Sequence, residues 1–401
     1  MSVELSLKGT VSSSSDGPLK GTTVLDMGIY RSAPHCSLIL ARLGADVIKV
    51  EPLGGEEARK DGVKWAVENN SKRSLAINLR DPRGQSVIRQ LAKKADILVQ
   101  NFRPGVMAKM NLAIDDLLAE CPRLIVVSIS AYGADNPLAQ RPGYDGIMQA
   151  AAGIMFINGV EGTPPLKVKS AIVDRTAGLH AAIGAIAALH QRGVTGRGQS
   201  MDISLCQSAY SIVDLEIAEA LTTGKEPKRT GNRASNPPVN NAFEAKDGWL
   251  YLATGGRQRM WEALCQMIGK PEWLMDERFR LKDDRSRNAD LIEDALATFF
   301  RAMTVEEAVN TCVAHHLPAE RAKTALEAAN SKYVEERDVI RLIDTPYGRA
   351  PVFGDPWHFS QAGVSVGRLP TVGEHTRAVL GDLGAFSTQE IDELTRAEVV
   401  R

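Results

Sequence analysis

Cysteine is scarce and scattered: Cys36, Cys121, Cys206, Cys265 and Cys312 are odd in number and form no CxxC pair. That argues against a disulfide framework or a zinc ribbon and suits a reducing compartment. Net charge is almost absent, −1 from 48 Lys and Arg against 49 Asp and Glu, so no global field recruits nucleic acid or an anionic membrane. An anionic ligand therefore needs a local cluster of Lys and Arg. No stretch approaches the ~18 consecutive apolar residues of a membrane span, and the first residues lack the charged-then-apolar pattern of a signal peptide. The expectation is a cytoplasmic protein, with neither nucleic acid nor membrane as partner. The histidines offer no metal site: His180 and His190 lack a ligand partner at useful spacing, and His315-His316 read as a helix end.

What is present is a repeating α/β pattern. Thr22–Asp26 reads as a strand, Ser37–Leu43 as a helix stopped by Gly44, and Ala45–Val50 as a second strand, which makes a βαβ unit. Further strands fall at Leu75–Leu79, Ile97–Val99 and Leu124–Ser130, and Pro82 opens a helix at its first position. These residues predict a Rossmann-like, open, mostly parallel sheet. No Gly-x-Gly-x-x-Gly follows the first strand, so a dinucleotide cofactor is not expected. From Asp174 to His190 the chain is small and apolar, the composition of a helix buried on all sides, and Met201–Leu205 follows as a strand. The predicted organisation is a flexible arm over 1–20, carrying Ser12 to Ser15, and a large domain over 21–224. A linker over 225–241 rich in Pro, Gly, Asn and Arg leads to a small domain over 242–332, and 333–401 return to the large domain.

Several short motifs occur in a telling order. They are Val24-Leu25-Asp26, Ala33-Pro34, Leu43-Gly44-Ala45-Asp46 running on to Val50-Glu51-Pro52, Lys72-Arg73-Ser74, and Asn101-Phe102-Arg103-Pro104-Gly105. Arg141-Pro142-Gly143-Tyr144-Asp145, Thr195-Gly196-Arg197-Gly198-Gln199, Gly231-Asn232-Arg233 and Gly373-Glu374-His375-Thr376 follow. In this register the chain resembles class III CoA transferases, the CaiB/BaiF family that includes formyl-CoA transferase, over nearly its whole length. The resemblance implies a Rossmann-like large domain, a smaller second domain and an interlocked homodimer. It implies no permanently bound cofactor, with acyl-CoA and a small carboxylic acid as substrates.

The resemblance puts the nucleophile at Asp174. Read from spacing alone, Asp174 is better taken as a helix cap, and the resemblance reverses that; a carboxylate at a helix start would be kept ionised by the unpaired N–H groups and the dipole. Tyr144 separates two enzyme classes, because α-methylacyl-CoA racemases of this fold carry His there. Tyrosine, with a reference pKa of about 10, is a poor base at neutral pH. Asp145 either steadies the reactive intermediate and excludes water or shapes a turn. The family contacts CoA at positions matching Tyr30, Arg31 and Ser32, Lys72 and Arg73, Asn101, Phe102 and Arg103, with Lys109 a turn further. Pro52 stands where many relatives have Arg. Gly255-Gly256 match the family's glycine-rich loop over the aspartate, and read alone are an ordinary strand-to-helix turn. Lys167, Lys169 and Arg175 flank the nucleophile, either to grip a dicarboxylic acid such as succinate or as surface charge. Two rivals stand beside the transferase: a racemase-type isomerase and a non-catalytic CoA-binding protein.

Overall fold

The computed structural model describes residues 17–233, 239–254, 256–363 and 366–401, so the serine run 12–15 and Gly255 lie outside the described residues. The chain forms two compact units. One comprises 1–154, 167–217 and 332–401; the other comprises 155–166 and 218–331. Residues 155–166 thus cluster with the second unit, although the sequence pattern groups them with the large domain.

The first unit is built on a six-stranded sheet: β1 (Thr23–Asp26), β2 (Asp46–Glu51), β3 (Arg73–Ala76), β4 (Ile97–Gln100), β5 (Ile125–Ser130) and β6 (Ser200–Ser204). Their order across the sheet is β3-β2-β1-β4-β5-β6, and every pair is parallel. The order reverses between β1 and β4, so the loops after those two strands diverge and leave a crevice at their carboxyl ends. Strands β1 to β5 are apolar runs covered by helices on both faces, as a parallel sheet requires. Leu25, Ile48, Leu75, Leu98 and Val126 contribute to one continuous core with helix Pro82–Ala92. That helix starts where Asp81 accepts the Arg83 backbone N–H at 2.8 Å and Pro82 takes the first turn. Beyond β3, the Ile77 and Val400 backbones form an antiparallel bridge, and the Arg401 N–H donates to the Ala76 carbonyl at 3.2 Å.

The second unit holds a three-stranded antiparallel sheet of β7 (Asn240–Ala245), β8 (Gly248–Ala253) and β9 (Ala319–Arg321). Helices pack on it around Phe243, Trp261, Phe279 and Phe300. Strand β7 is absent from the sequence reading, which ends its linker at Asn241. The two asparagines at its start mask the inward alternation of Phe243 and Ala245.

The helix Ile172–Thr195 corrects two expectations. It is 24 residues long and, by length and composition alone, apolar enough to cross a membrane, a test that core helices of soluble proteins also pass. It is also not buried on all sides. Its buried stripe is small (Val173, Ala177, Gly178, Ala181, Ala182, Ala185, Ala188), whereas Ile183 and Val194 are 65% and 78% exposed. Small residues let this helix lie close against Ser32–Arg42. A Cβ added at Gly178 would sit 2.8 Å from the Ser32 carbonyl oxygen, with His35 at 3.0 Å. The backbone oxygen cannot yield as a flexible side chain would. Gly178→Ala should cost about 1–3 kcal/mol by overpacking, read as a lower urea midpoint with an unchanged slope. A variant as stable as the parent would show that the two helices have slack.

Candidate active site

The crevice at the sheet reversal is a cavity of about 330 Å³. The loop after β1 supplies Tyr30, Arg31 and Ser32 to its wall, and the loop after β4 supplies Asn101, Phe102 and Arg103. Arg141 and Tyr144 come from the segment after β5, and Asp174 from the start of Ile172–Thr195. Residues separated by more than 140 positions thus meet in one pocket. A second cavity of about 830 Å³ lies beside it over the ends of β2 and β3, and Ile29 and Phe102 line both. Pro52, Arg80 and Lys109 line the second cavity.

The loops are held by buried side chains. Asn101 clamps Ile29 from both sides: its Oδ1 accepts the Ile29 N–H and its Nδ2 donates to the Ile29 carbonyl, each at 2.8 Å. Glu56 accepts the Tyr30 N–H at 2.7 Å, which secures a tyrosine at φ 62°, in the left-handed region. Glu56 is itself paired with buried Lys49 at 2.9 Å.

Lys72 is corrected by the structure. It is fully buried, and its Nζ donates to Asp26 Oδ2, the Pro34 carbonyl and Asn69 Oδ1, all at 2.9 Å. A lysine with three internal acceptors is spent and has no proton left for a phosphate. Arg73 is bound to Asp46 through two contacts of 2.8 and 2.5 Å and lines neither cavity. Arg31 serves the first cavity; Lys109 serves the second. Gly256 takes φ 67° and belongs to the second unit, and Gly255 lies outside the described residues. Arg80 is a residue the sequence reading missed. Its signal was available, because it directly precedes the helix cap Asp81 on the loop after β3, at a strand's carboxyl end.

The two aspartates divide their work. Asp145 caps the helix Ile172–Thr195 from outside: its Oδ2 accepts the Val173 and Asp174 backbone N–H groups at 2.8 and 3.2 Å, and its Oδ1 accepts from buried Gln149 Nε2 at 2.6 Å. The cap position of that helix is therefore taken, and the side chain of Asp174 is released from it. Among the described residues no hydrogen bond or ion pair reaches the Asp174 carboxylate, which faces the cavity.

Comparison with known proteins assigns this arrangement. The model of CoA-transferase family III matches residues 19–376. The chain belongs to CoA-transferase family III. It is 29% identical over 394 residues to succinyl-CoA--D-citramalate CoA-transferase of Chloroflexus aurantiacus, covering 96% of this chain and 98% of that one. It is 32% identical to acetyl-CoA:oxalate CoA-transferase of Acetobacter aceti over 81% of this chain and 85% of that one. The crystal structure of a CAIB/BAIF family protein from Brucella suis superposes with a TM-score of 0.83 at 29% identity, over 92% of this chain and all of that one. Formyl-CoA:oxalate CoA-transferase of Afipia carboxidovorans also matches, 27% identical over 410 residues and 94% of this chain.

In this family III enzyme the electrostatics of Asp174 differ from the sequence expectation. Burial pushes its pKa up, the Asp145 charge and Glu68 push it further, and Arg31 opposes them; it settles at about 6. The helix N–H groups do not hold it down because Asp145 occupies them. Thiol chemistry is closed off nearby: Cys36 is fully buried, and burial followed by the Asp26 charge pushes its pKa up.

Only an ionised carboxylate attacks a thioester. As pH falls through about 6 the protonated fraction of Asp174 grows. The family III activity should therefore lose about tenfold in kcat/KM per pH unit on that acid side and level off above about pH 7. Asp145→Asn keeps an oxygen for the cap and removes the like charge, so its acid limb should move to lower pH. An unmoved limb in steady-state pH profiles would separate the two aspartates electrostatically.

Proposed function

We propose that this family III enzyme transfers CoA from an acyl-CoA to a short carboxylic acid, dicarboxylates included, through covalent intermediates on Asp174. One observation carries the reading: the Asp174 carboxylate has no partner among the described residues, faces a cavity lined by both switch-point loops, and is relieved of capping duty by Asp145. The printed activities of the two CoA-transferase relatives, which act on succinyl-CoA with D-citramalate and on acetyl-CoA with oxalate, support the substrate class.

The chemistry balances without water or net proton transfer. A carboxylate oxygen of Asp174 bonds to the thioester carbonyl carbon, the C–S bond breaks, and CoA thiolate leaves a mixed anhydride. The thiolate attacks the aspartyl carbonyl, the bridging C–O bond breaks, and the first acid departs as carboxylate from an aspartyl-CoA thioester. The acceptor carboxylate attacks that thioester, and the expelled thiolate then takes the acceptor's acyl carbon, which returns Asp174 to its ionised form. The nucleotide end of CoA fits the larger cavity, where Arg80 and Lys109 supply cations in place of the arginine that Pro52 displaces. The pantetheine arm passes the shared wall of Ile29 and Phe102. Tyr144, 71% exposed, offers no imidazole for α-proton exchange.

Incubation with acyl-CoA followed by mass spectrometry should show an adduct on the peptide bearing Asp174, sensitive to hydroxylamine. Asp174→Ala should lose the adduct and at least about 10³-fold in transfer while still binding CoA. Rapid deuterium uptake at the α-carbon of a 2-methylacyl-CoA, with no transfer to any acid, would identify an isomerase instead.

The homodimer implied by the family resemblance belongs to the same proposal. Leu179, Ile183 and Val194 on Ile172–Thr195, together with Leu215 and Leu221, expose apolar side chains that a second copy would cover. Sedimentation equilibrium should give twice the 43.4 kDa chain mass. Ile183→Asp should shift the population towards monomer, and a wild-type monomer at micromolar concentration would overturn this part.

A further inference from the structure

The ground beside the nucleophile carries a feature that CoA transfer alone does not use. Glu68, on helix Val63–Asn69, is 2% exposed on its side chain, yet it gathers cations from two other elements. Arg175, next to Asp174 in sequence, donates to its Oε1 at 2.8 Å, and Arg31 stands 3.8 Å from the same oxygen. His35 Nδ1 lies 3.0 Å from Oε2. Burial opposes ionisation of Glu68, but the His35 hydrogen bond and the charges of His35, Arg175 and Arg31 outweigh it and hold its carboxyl below the usual range.

We propose that Arg31 and Arg175, anchored on Glu68, form a two-guanidinium cradle for the far carboxylate of a dicarboxylic acyl group carried on Asp174. This rests on the transfer reading above. Three observations lead to it. The two guanidinium groups are barely spent: among the described residues Arg175 makes a single side-chain hydrogen bond and Arg31 makes none. Both remain partly open, with 31% and 41% of their side chains exposed, so their remaining donors can reach a ligand. Charge then points to the occupant. Glu68 neutralises one of two positive charges, and in the resting enzyme Asp174 lies within the field of Arg31. Acylation of Asp174 removes that negative charge, and a second carboxylate on the substrate restores the balance.

Direction agrees with charge. Ile29 and Phe102 lead from the first cavity to the second, which fixes the side towards which CoA extends. Arg31 lines the cavity together with Asp174, and Arg175 directly follows Asp174 on the same helix, so the pair stands beside the reacting carboxylate. Arg103 and Arg141 also line the cavity, but Arg141 lies 5.8 Å over the Tyr132 ring, and among the described residues neither is anchored on a buried carboxylate as Arg31 and Arg175 are. Lys167 and Lys169 are exposed and make no ion pair among the described residues. The selective element is therefore the arginine pair, with Glu68 as its positioning residue.

The test compares acceptors that differ only at the far end, succinate and butyrate, with acetyl-CoA as common donor so that the first half-reaction cancels. The wild-type enzyme should favour succinate in kcat/KM. Arg175→Gln, at a half-open position that tolerates polar replacement, should reduce the succinate-to-butyrate ratio at least about tenfold. Arg175→Lys should recover part of it, and Glu68→Gln should lower the same ratio by loosening both arginines. A ratio unchanged in Arg175→Gln, or a wild-type enzyme indifferent between the acids, would overturn the cradle while leaving CoA transfer intact. Transfer from other acyl-CoA donors but not from succinyl-CoA would have the same meaning. Absence of any adduct on Asp174 with any donor would remove the transfer reading and the cradle with it.

Discussion

The first unit turns on one buried carboxylate. Asp26 ends β1 with no solvent contact, and burial alone would protonate it; Lys49, Lys72 and the Ser37 hydroxyl at 2.6 Å instead hold it ionised and below its usual range. An unpaired charge in that position would cost several kcal/mol, so the surrounding groups are obliged to converge. Lys72 comes from just before β3 and Lys49 from β2, and Lys49 also donates to the Gly28 carbonyl and grips Glu56. Glu56 in turn fixes Tyr30. Asp26 also accepts the Gly28 N–H, the Gly28 carbonyl accepts from Lys49, Lys49 pairs with Glu56 and Glu56 accepts the Tyr30 N–H, so the core charge is linked to the wall of the crevice by a run of polar contacts. A loop with an unfavourable backbone angle at Tyr30 is thereby made rigid before any ligand arrives, which lowers the entropy a substrate must supply.

Around this frame the Asp174 carboxylate, the nucleophile of the proposed mechanism, has no hydrogen-bond or ion-pair partner among the described residues. A carboxylate at a helix start would ordinarily satisfy backbone donors and become a weak nucleophile. Here a second acid takes those donors, and its negative charge adds to burial in raising the energy of the ionised form. The resulting carboxylate is both less solvated and more basic than an ordinary aspartate. Arg31 opposes the rise, which leaves Asp174 at about 6 and ionised at neutral pH. The spatial separation of capping from attack is a geometric solution that depends on Asp145 and Asp174 being brought together from 29 positions apart.

Much of this was legible in the residues. The parallel sheet followed from strand-helix-strand periodicity, and the order of short motifs led to Asp174, Tyr30 to Ser32 and Asn101 to Arg103, all of which line one cavity. What failed did so for identifiable reasons. Lys72 resembled a phosphate ligand because sequence shows a charge but not the direction in which the side chain runs; only the fold reveals its three internal acceptors. The Asp174 helix read as fully buried because composition cannot distinguish a surface facing the core from an apolar surface left open on the single chain. Glu68 was invisible for a third reason: its significance lies in a meeting of three helices, none of which carries a pattern that announces the other two.

The antiparallel bridge between Ile77 and Val400 has a bearing on solution behaviour. A parallel sheet of hydrophobic strands offers unpaired backbone groups at its margins, and such margins seed association between unrelated molecules. On the β3 side that template is already engaged: residues 399 to 401 lie along the outer strand, with Asn78 donating to Val399 and Arg401 to Ala76 at 2.8 and 3.2 Å. The segment works as a gatekeeper against strand addition. Its removal would expose a sticky border on a molecule whose catalytic residues were all still in place.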